Sequence, residues 1–172
     1  MMSPEPVMSG TIVEEACRAP RARFDVVCVG PDGRERWRDA AGNLVVTQGC
    51  TDLLERYFRG SSYTASWYLL LKGSGTVAAG DTLASHPGWS ELTPYEGNRP
   101  SITWNGASSG QIVSQQVSIS INASATVAGA GCCTVATGTS GVLYNAGDFS
   151  AARSLQSGDT LNVTVTLTVS AA

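Results

Sequence analysis

The sequence predicts a mainly β protein: an antiparallel β-sandwich of jelly-roll or immunoglobulin-like type with one short α-helix near residues 50–59. Three observations lead there. Leu161, Val163, Val165, Leu167 and Val169 alternate with Asn162, Thr164, Thr166, Thr168 and Ser170, a strict period of two with β-branched residues on both faces. Short apolar runs recur between Gly-rich turns through the second half of the chain, as they do in sandwiches. Only 15% of residues are charged, against about 25% in ordinary domains. That excludes the long charged helices of bundles and coiled coils, and suits strands with hydroxyls on their wet faces.

Taken in order, residues 1–20 hold three prolines, scattered charges and no clear period, and read as an extended N-terminal arm. Residues 21–172 are then a single β-sandwich domain. Residues 23–29 are strand-like. Pro31-Asp32-Gly33 is a turn in which Pro fixes φ and Gly supplies a positive one. Residues 34–39 read as the return strand, with Arg34, Arg36 and Arg38 on one face, either a binding stripe or the solvated side of an edge strand. Leu44-Val45-Val46 is apolar. The helix follows, with Thr51 able to cap it and Leu53, Leu54, Tyr57 and Phe58 spaced as one apolar face, and Gly60 stops it.

Residues 66–72 are apolar on both faces, as a central strand would be. A long irregular segment, residues 73–110, contains two short strand candidates at 89–93 and 101–104; loops of this length are usually functional or form contacts. Val117, Ile119 and Ile121 alternate with Ser118, Ser120 and Asn122, and further short strands are expected at 125–127, 132–136 and 142–144. Gly-Asp-Thr-Leu occurs at 80–83 and again at 158–161 with unmatched flanks, which reads as two Asp-Thr turns rather than a repeat.

The function classes narrow by exclusion. A net charge of −3 gives no electrostatic reason to expect nucleic acid as a partner. Residues 61–172 carry only Lys72, Arg99 and Arg153 as cations, and such a nearly uncharged surface fits contact with other subunits. Cys17, Cys28, Cys50, Cys132 and Cys133 have no metal or redox spacing. The vicinal pair should point to opposite faces of a strand, so free thiols made in a reducing cytoplasm are expected. Residues 1–10 lack the basic start and apolar run of a secretory signal. No stretch approaches the roughly 18 apolar residues of a membrane helix, so no membrane partner is expected.

No cofactor, metal or catalytic residue is predicted, and the expectation is a protein that is not an enzyme. His86 is the only histidine; without a second, HExxH and deaminase-type zinc sites are excluded. No G-x-S-x-G or Walker sequence provides a nucleophile or phosphate setting. Asp81 with Glu91, or Asp148 with Asp159, are the pairs a glycosidase would need, but any chain with 14 acidic residues offers such pairs. Trp67, Trp89 and Trp104 cluster with Tyr63, Tyr68 and Tyr95. Exposed, they would be a sugar-stacking platform; buried, they would be core plugs holding the long segment to the sheet.

The run Leu44-Val-Val-Thr-Gln-Gly-Cys-Thr-Asp-Leu-Leu54, then Trp67-Tyr-Leu-Leu-Leu-Lys-Gly73, then Ala79-Gly-Asp-Thr-Leu-Ala-Ser-His-Pro-Gly-Trp89 resembles small virion proteins of tailed bacteriophages. So do Glu91-Leu-Thr-Pro-Tyr95 with Arg99-Pro100, Ser118-Ile-Ser-Ile-Asn122, Gly141-Val-Leu-Tyr144 with Phe149-Ser150, and Ser157-Gly-Asp-Thr-Leu-Asn-Val163. The likeness covers about three quarters of the chain, from Leu44 onward, and residues 1–40 lie outside it. It implies a structural virion protein made in the bacterial host cytoplasm. Within that class it implies a capsid decoration (cement) protein that binds and stabilises the major capsid lattice, together with other virion subunits, as a homo-oligomer (trimer or dimer). The alternative is a tail- or fibre-associated module contacting host-surface glycans through the aromatic cluster.

Overall fold

A computed structural model describes residues 20–63 and 66–169. The expected arm, residues 1–20, lies outside the described residues except for Pro20, as does Cys17. The described chain forms two antiparallel sheets and one helix, the sandwich the sequence predicts. Its strands are β1 (Arg21–Val29), β2 (Glu35–Gly42), β3 (Leu44–Val45), β4 (Trp67–Gly75), β5 (Trp89–Leu92) and β6 (Ser101–Ile102), then β7 (Gln111–Val113), β8 (Val117–Ser120), β9 (Ala125–Cys133), β10 (Leu143–Leu155) and β11 (Thr160–Thr168). The helix α1 is Thr47–Phe58. One sheet runs β2-β1-β11-β7, with β8 also on β11; the other runs β3-β10-β9-β4-β5, with β6 also on β4.

The core between the sheets follows from alternation. Ala22, Phe24, Val26 and Cys28 of β1 face inward beside Leu161, Val163 and Val165 of β11. They meet Leu69, Leu71, Val127, Ala130 and Cys132 of the opposing sheet. The vicinal cysteines part as expected, Cys132 into this core and Cys133 into a second one on the other face of the β4 sheet. That second cluster, built on Leu70, Leu143 and Ala146, is covered by Val46, Leu83 and Trp89. So the β4 sheet is buried on both faces, which is why Leu69, Leu70 and Leu71 are all solvent-free.

The two Gly-Asp-Thr-Leu sequences make one and the same turn. Asp81 donates its backbone N–H to the Ala78 carbonyl (3.1 Å) and accepts the Ala78 N–H on its carboxylate (2.9 Å). Asp159 does the same with Gln156, at 3.0 and 2.8 Å. Each turn then delivers its leucine, Leu83 or Leu161, into a core.

Several elements differ from the sequence expectation. The strands expected at 125–127 and 132–136 merge into one strand, β9, which ends at Cys133 and leaves 134–136 outside it. They merge because Gly129 serves close packing rather than a turn. A Cβ there would lie 2.0 Å from the Gly147 carbonyl oxygen of β10. The expected strand at 142–144 is the first part of the 13-residue β10. Its pairing with β9 slips between Asp148 and Arg153, and beyond this bulge it approaches β2 and joins the two sheets. There Trp37 Nε1–H donates to the Ser154 carbonyl (3.0 Å). The buried Asp39 carboxylate accepts from Ser150 Oγ–H (2.8 Å) and from Arg153 Nε–H and Nη2–H (2.9 and 2.8 Å). β7 is an element the sequence did not show.

Two predictions follow from this packing. Val165→Asp places an unpaired carboxylate in the core and should cost at least about 3 kcal/mol, read as a lower urea midpoint. Burial pushes the Asp39 carboxyl upward, but the bonds from Ser150, Arg153 and Ala40 more than offset this and hold it at about 2, below the ordinary 3.8. The stability it contributes is therefore fully present above pH 4 and is lost as the pH falls through about 2, on the order of 1–2 kcal/mol. Asp39→Asn should flatten the stability profile in that window.

Candidate functional site

Helix α1 is where the surface departs from the rest of the molecule. Its start is tied down: Val46 N–H donates to the Tyr144 carbonyl (3.2 Å) and Thr47 N–H to the Ala79 carbonyl (2.9 Å). Gln48 Oε1 accepts from both Leu143 N–H (2.8 Å) and Leu83 N–H (3.3 Å), joining the helix to β10 and to the segment before β5. Gly49 is the only buried residue of the helix, and it rests on the backbone of Tyr144; a Cβ there would lie 2.3 Å from that carbonyl oxygen.

The apolar face marked by the sequence spacing is not the face that packs. Leu53, Leu54, Tyr57 and Phe58 are all exposed, Tyr57 by 79% and Phe58 by 75%. The helix also begins earlier than expected, at Thr47, with Val46 at the cap position and no side chain bonding there. Thr51 therefore lies inside the helix on its exposed side and caps nothing. The i,i+4 pairs Asp52–Arg56 and Glu55–Arg59 bind the remaining faces.

Side chains on α1 divide around its axis. Leu54 and Phe58 share the outward side. Leu53 and Tyr57 turn the other way and, with Tyr63 and Trp67, wall a groove of about 290 Å³. Its more buried lining is Asp52, Arg56 and Tyr144. Trp67 is held edge-on against Tyr144 (centroids 5.4 Å apart) and Trp104 (6.5 Å), and its Nε1–H donates to the Tyr63 hydroxyl (2.6 Å). Burial, then the nearby Cys50, Cys132 and Asp52, push the Tyr144 hydroxyl up to about 12, so it stays protonated.

The aromatic cluster seen in the sequence is thus divided. Trp89 and Tyr95 are buried plugs, Trp89 donating Nε1–H to Asp81 (2.8 Å). Tyr63 and Trp67 reach the groove. Tyr57 and Tyr144 belong there too, although no sequence pattern links them to Trp67.

The other candidates are held in place by partners of their own. His86 stacks on Trp89 (3.9 Å) with Nδ1 3.1 Å from the Trp89 carbonyl. Glu91 is gripped at both oxygens by Arg99 (2.7 Å each). Asp148 accepts from the buried Lys72 ammonium at 2.5 Å. Asp159 accepts from Gln156 N–H and lies 3.0 Å from Arg36 Nε. Arg36 also donates to Gln156 (2.9 Å), Arg38 is paired with Glu35, and Arg34 precedes β2, so the three arginines form no common stripe.

The Cys28 thiol, raised to about 12 by burial and then by Asp159, remains a thiol. Among the described residues no group of three His, Cys, Asp or Glu side chains is placed to hold a metal ion, and no helix is long and apolar enough to cross a membrane. No protein-family model matches the sequence, and a search of curated proteins returns no match.

The seat of the helix is testable. In a free helix Gly→Ala gains about 1 kcal/mol, yet Gly49→Ala should destabilise this protein by roughly 1–3 kcal/mol, because the helix must lift from Tyr144. Thermal unfolding gives the sign directly.

Proposed function

We propose that this chain is a non-catalytic structural protein of a tailed-phage virion, and within that class a capsid decoration (cement) protein that binds and stabilises the major capsid lattice. The observation that carries the reading is the outward side of α1: a helix seated firmly at one end shows Leu54 and Phe58 to solvent. Apolar side chains grouped on one exposed element mark a surface built to meet another protein. The sparse charge beyond residue 60 favours close approach to a neighbouring subunit without desolvating ions. The partners are then the major capsid protein and other copies of this chain, as a dimer or trimer, and the location is the virion. The second reading, a tail- or fibre-associated module meeting host-surface glycans, draws on the groove at the other side of α1.

Purified phage heads lacking the protein, incubated with the full chain and pelleted, test this reading. Wild type should co-sediment and raise the temperature at which heads rupture. The double variant Leu54→Ser/Phe58→Ser should melt close to wild type, since exposed sites change stability by less than about 0.5 kcal/mol each, but bind at least about tenfold more weakly. Wild-type protein found only on tails would sink the cement reading.

A further inference from the structure

The groove beside α1 has polar groups with valences still open. Asp52 Oδ1 accepts from Arg56 Nε–H (3.1 Å), while its Oδ2 has no donor among the described residues. Arg56 Nη1–H donates to the Ser62 carbonyl and its guanidinium lies 5.8 Å from the Tyr63 ring centroid, while its Nη2 has no acceptor among the described residues. Tyr144, only 6% exposed, also lines the groove, and its hydroxyl has no hydrogen-bond partner among the described residues. Around these three groups stand the rings of Tyr57, Tyr63 and Trp67.

The lining selects its occupant. A purely apolar side chain filling the groove would bury the Asp52 oxygen and the Tyr144 hydroxyl without partners, which is costly. An anion would meet the Asp52 carboxylate, and a cation the Arg56 guanidinium. A neutral ring with apolar C–H faces and several hydroxyls satisfies every part, its faces against Tyr57 and Tyr63 and its hydroxyls on Asp52, Arg56 and Tyr144. The volume of about 290 Å³, just under the roughly 300–1,000 Å³ usual for ligand sites, suits one ring rather than an extended chain.

We propose that this groove binds a single neutral pyranose of a carbohydrate. The inference deepens the glycan-binding reading above, rests on the groove alone, and requires no particular place on the particle. Saturation-transfer NMR on the full chain, with methyl glycosides of glucose, galactose, mannose, rhamnose and N-acetylglucosamine, provides the test. At least one should receive saturation and shift the Trp67 indole resonance. Tyr57→Ala, at a position 79% exposed, should leave the fold intact and weaken that binding at least about tenfold, as should Asp52→Asn. Methyl glucuronide should bind at least about tenfold more weakly than the best neutral sugar.

Silence from all five neutral sugars, binding that leaves the Trp67 resonance in place, or undiminished binding in Tyr57→Ala would overturn the proposal. Equal binding of the glucuronide would overturn the assignment to a neutral ring. Leu54→Ser/Phe58→Ser should keep its sugar affinity while losing attachment to heads, so the two readings fail separately.

Discussion

The apolar run Leu69-Leu70-Leu71, followed by the buried Lys72, is the constraint from which the rest of the molecule follows. In a strand, successive residues point to opposite faces, so three leucines in a row cannot be satisfied by one opposing sheet. The chain must build a third layer, and it does so from the segment before β5 and the start of α1. Lys72 adds a second demand, because a buried ammonium needs its protons accepted. It finds the Gly73 and Gly75 carbonyls and the Asp148 carboxylate, with the Trp89 ring 6.0 Å away. Trp89 in turn is fixed by Asp81 in the first Gly-Asp-Thr-Leu turn. The part of the irregular-looking segment that precedes β5 is thus a lid over one face of the β4 sheet, held by a short chain of polar contacts.

What the sequence made legible was whatever depended on local alternation. The run from Leu161 needs only the period of two, and Leu161, Val163 and Val165 are buried in register with β1. The parting of Cys132 and Cys133 rests on the same geometry. The rest was hidden where pairing replaces pattern. β10 carries Gly147, Ala151 and Ala152, and it bulges after Asp148, so no period runs through it. Gly129 looks like a turn residue until the close approach of Gly147 is known. The direction of the helix face was the larger omission: spacing marks an apolar stripe but not whether a sheet or solvent lies beside it. The groove was half legible, since Tyr63 and Trp67 are neighbours in sequence while Asp52, Tyr57 and Tyr144 join them only through the fold.

The energetics of α1 give that stripe its meaning. Most helix stability in proteins comes from packing an amphipathic face, and an isolated 12-residue helix is marginal in water. This helix buries only Gly49. It is held instead by its first turn, through Gln48 and the backbone bonds of Val46 and Thr47, and by two i,i+4 ion pairs that contribute a few tenths of a kcal/mol each. Its seated end is therefore firm and its far end, with Tyr57 and Phe58, is the less stabilised part.

Such an arrangement couples the two surfaces of the helix. Anything that binds the folded helix and not an unfolded one stabilises it by RT ln(1 + L/Kd), where L is its free concentration. A protein partner covering Leu54 and Phe58 would supply the missing packing to the far end, and so would hold Tyr57 more firmly against the groove. A ring bound between Tyr57 and Tyr63 would brace the same turn from the other side. The coupling is bounded by what ordering one helical turn costs, about 1–2 kcal/mol per residue of backbone entropy. With each occupant meeting part of that cost, cooperation between the two surfaces is the expected sign, and Gly49 on Tyr144 is the fixed point about which it acts.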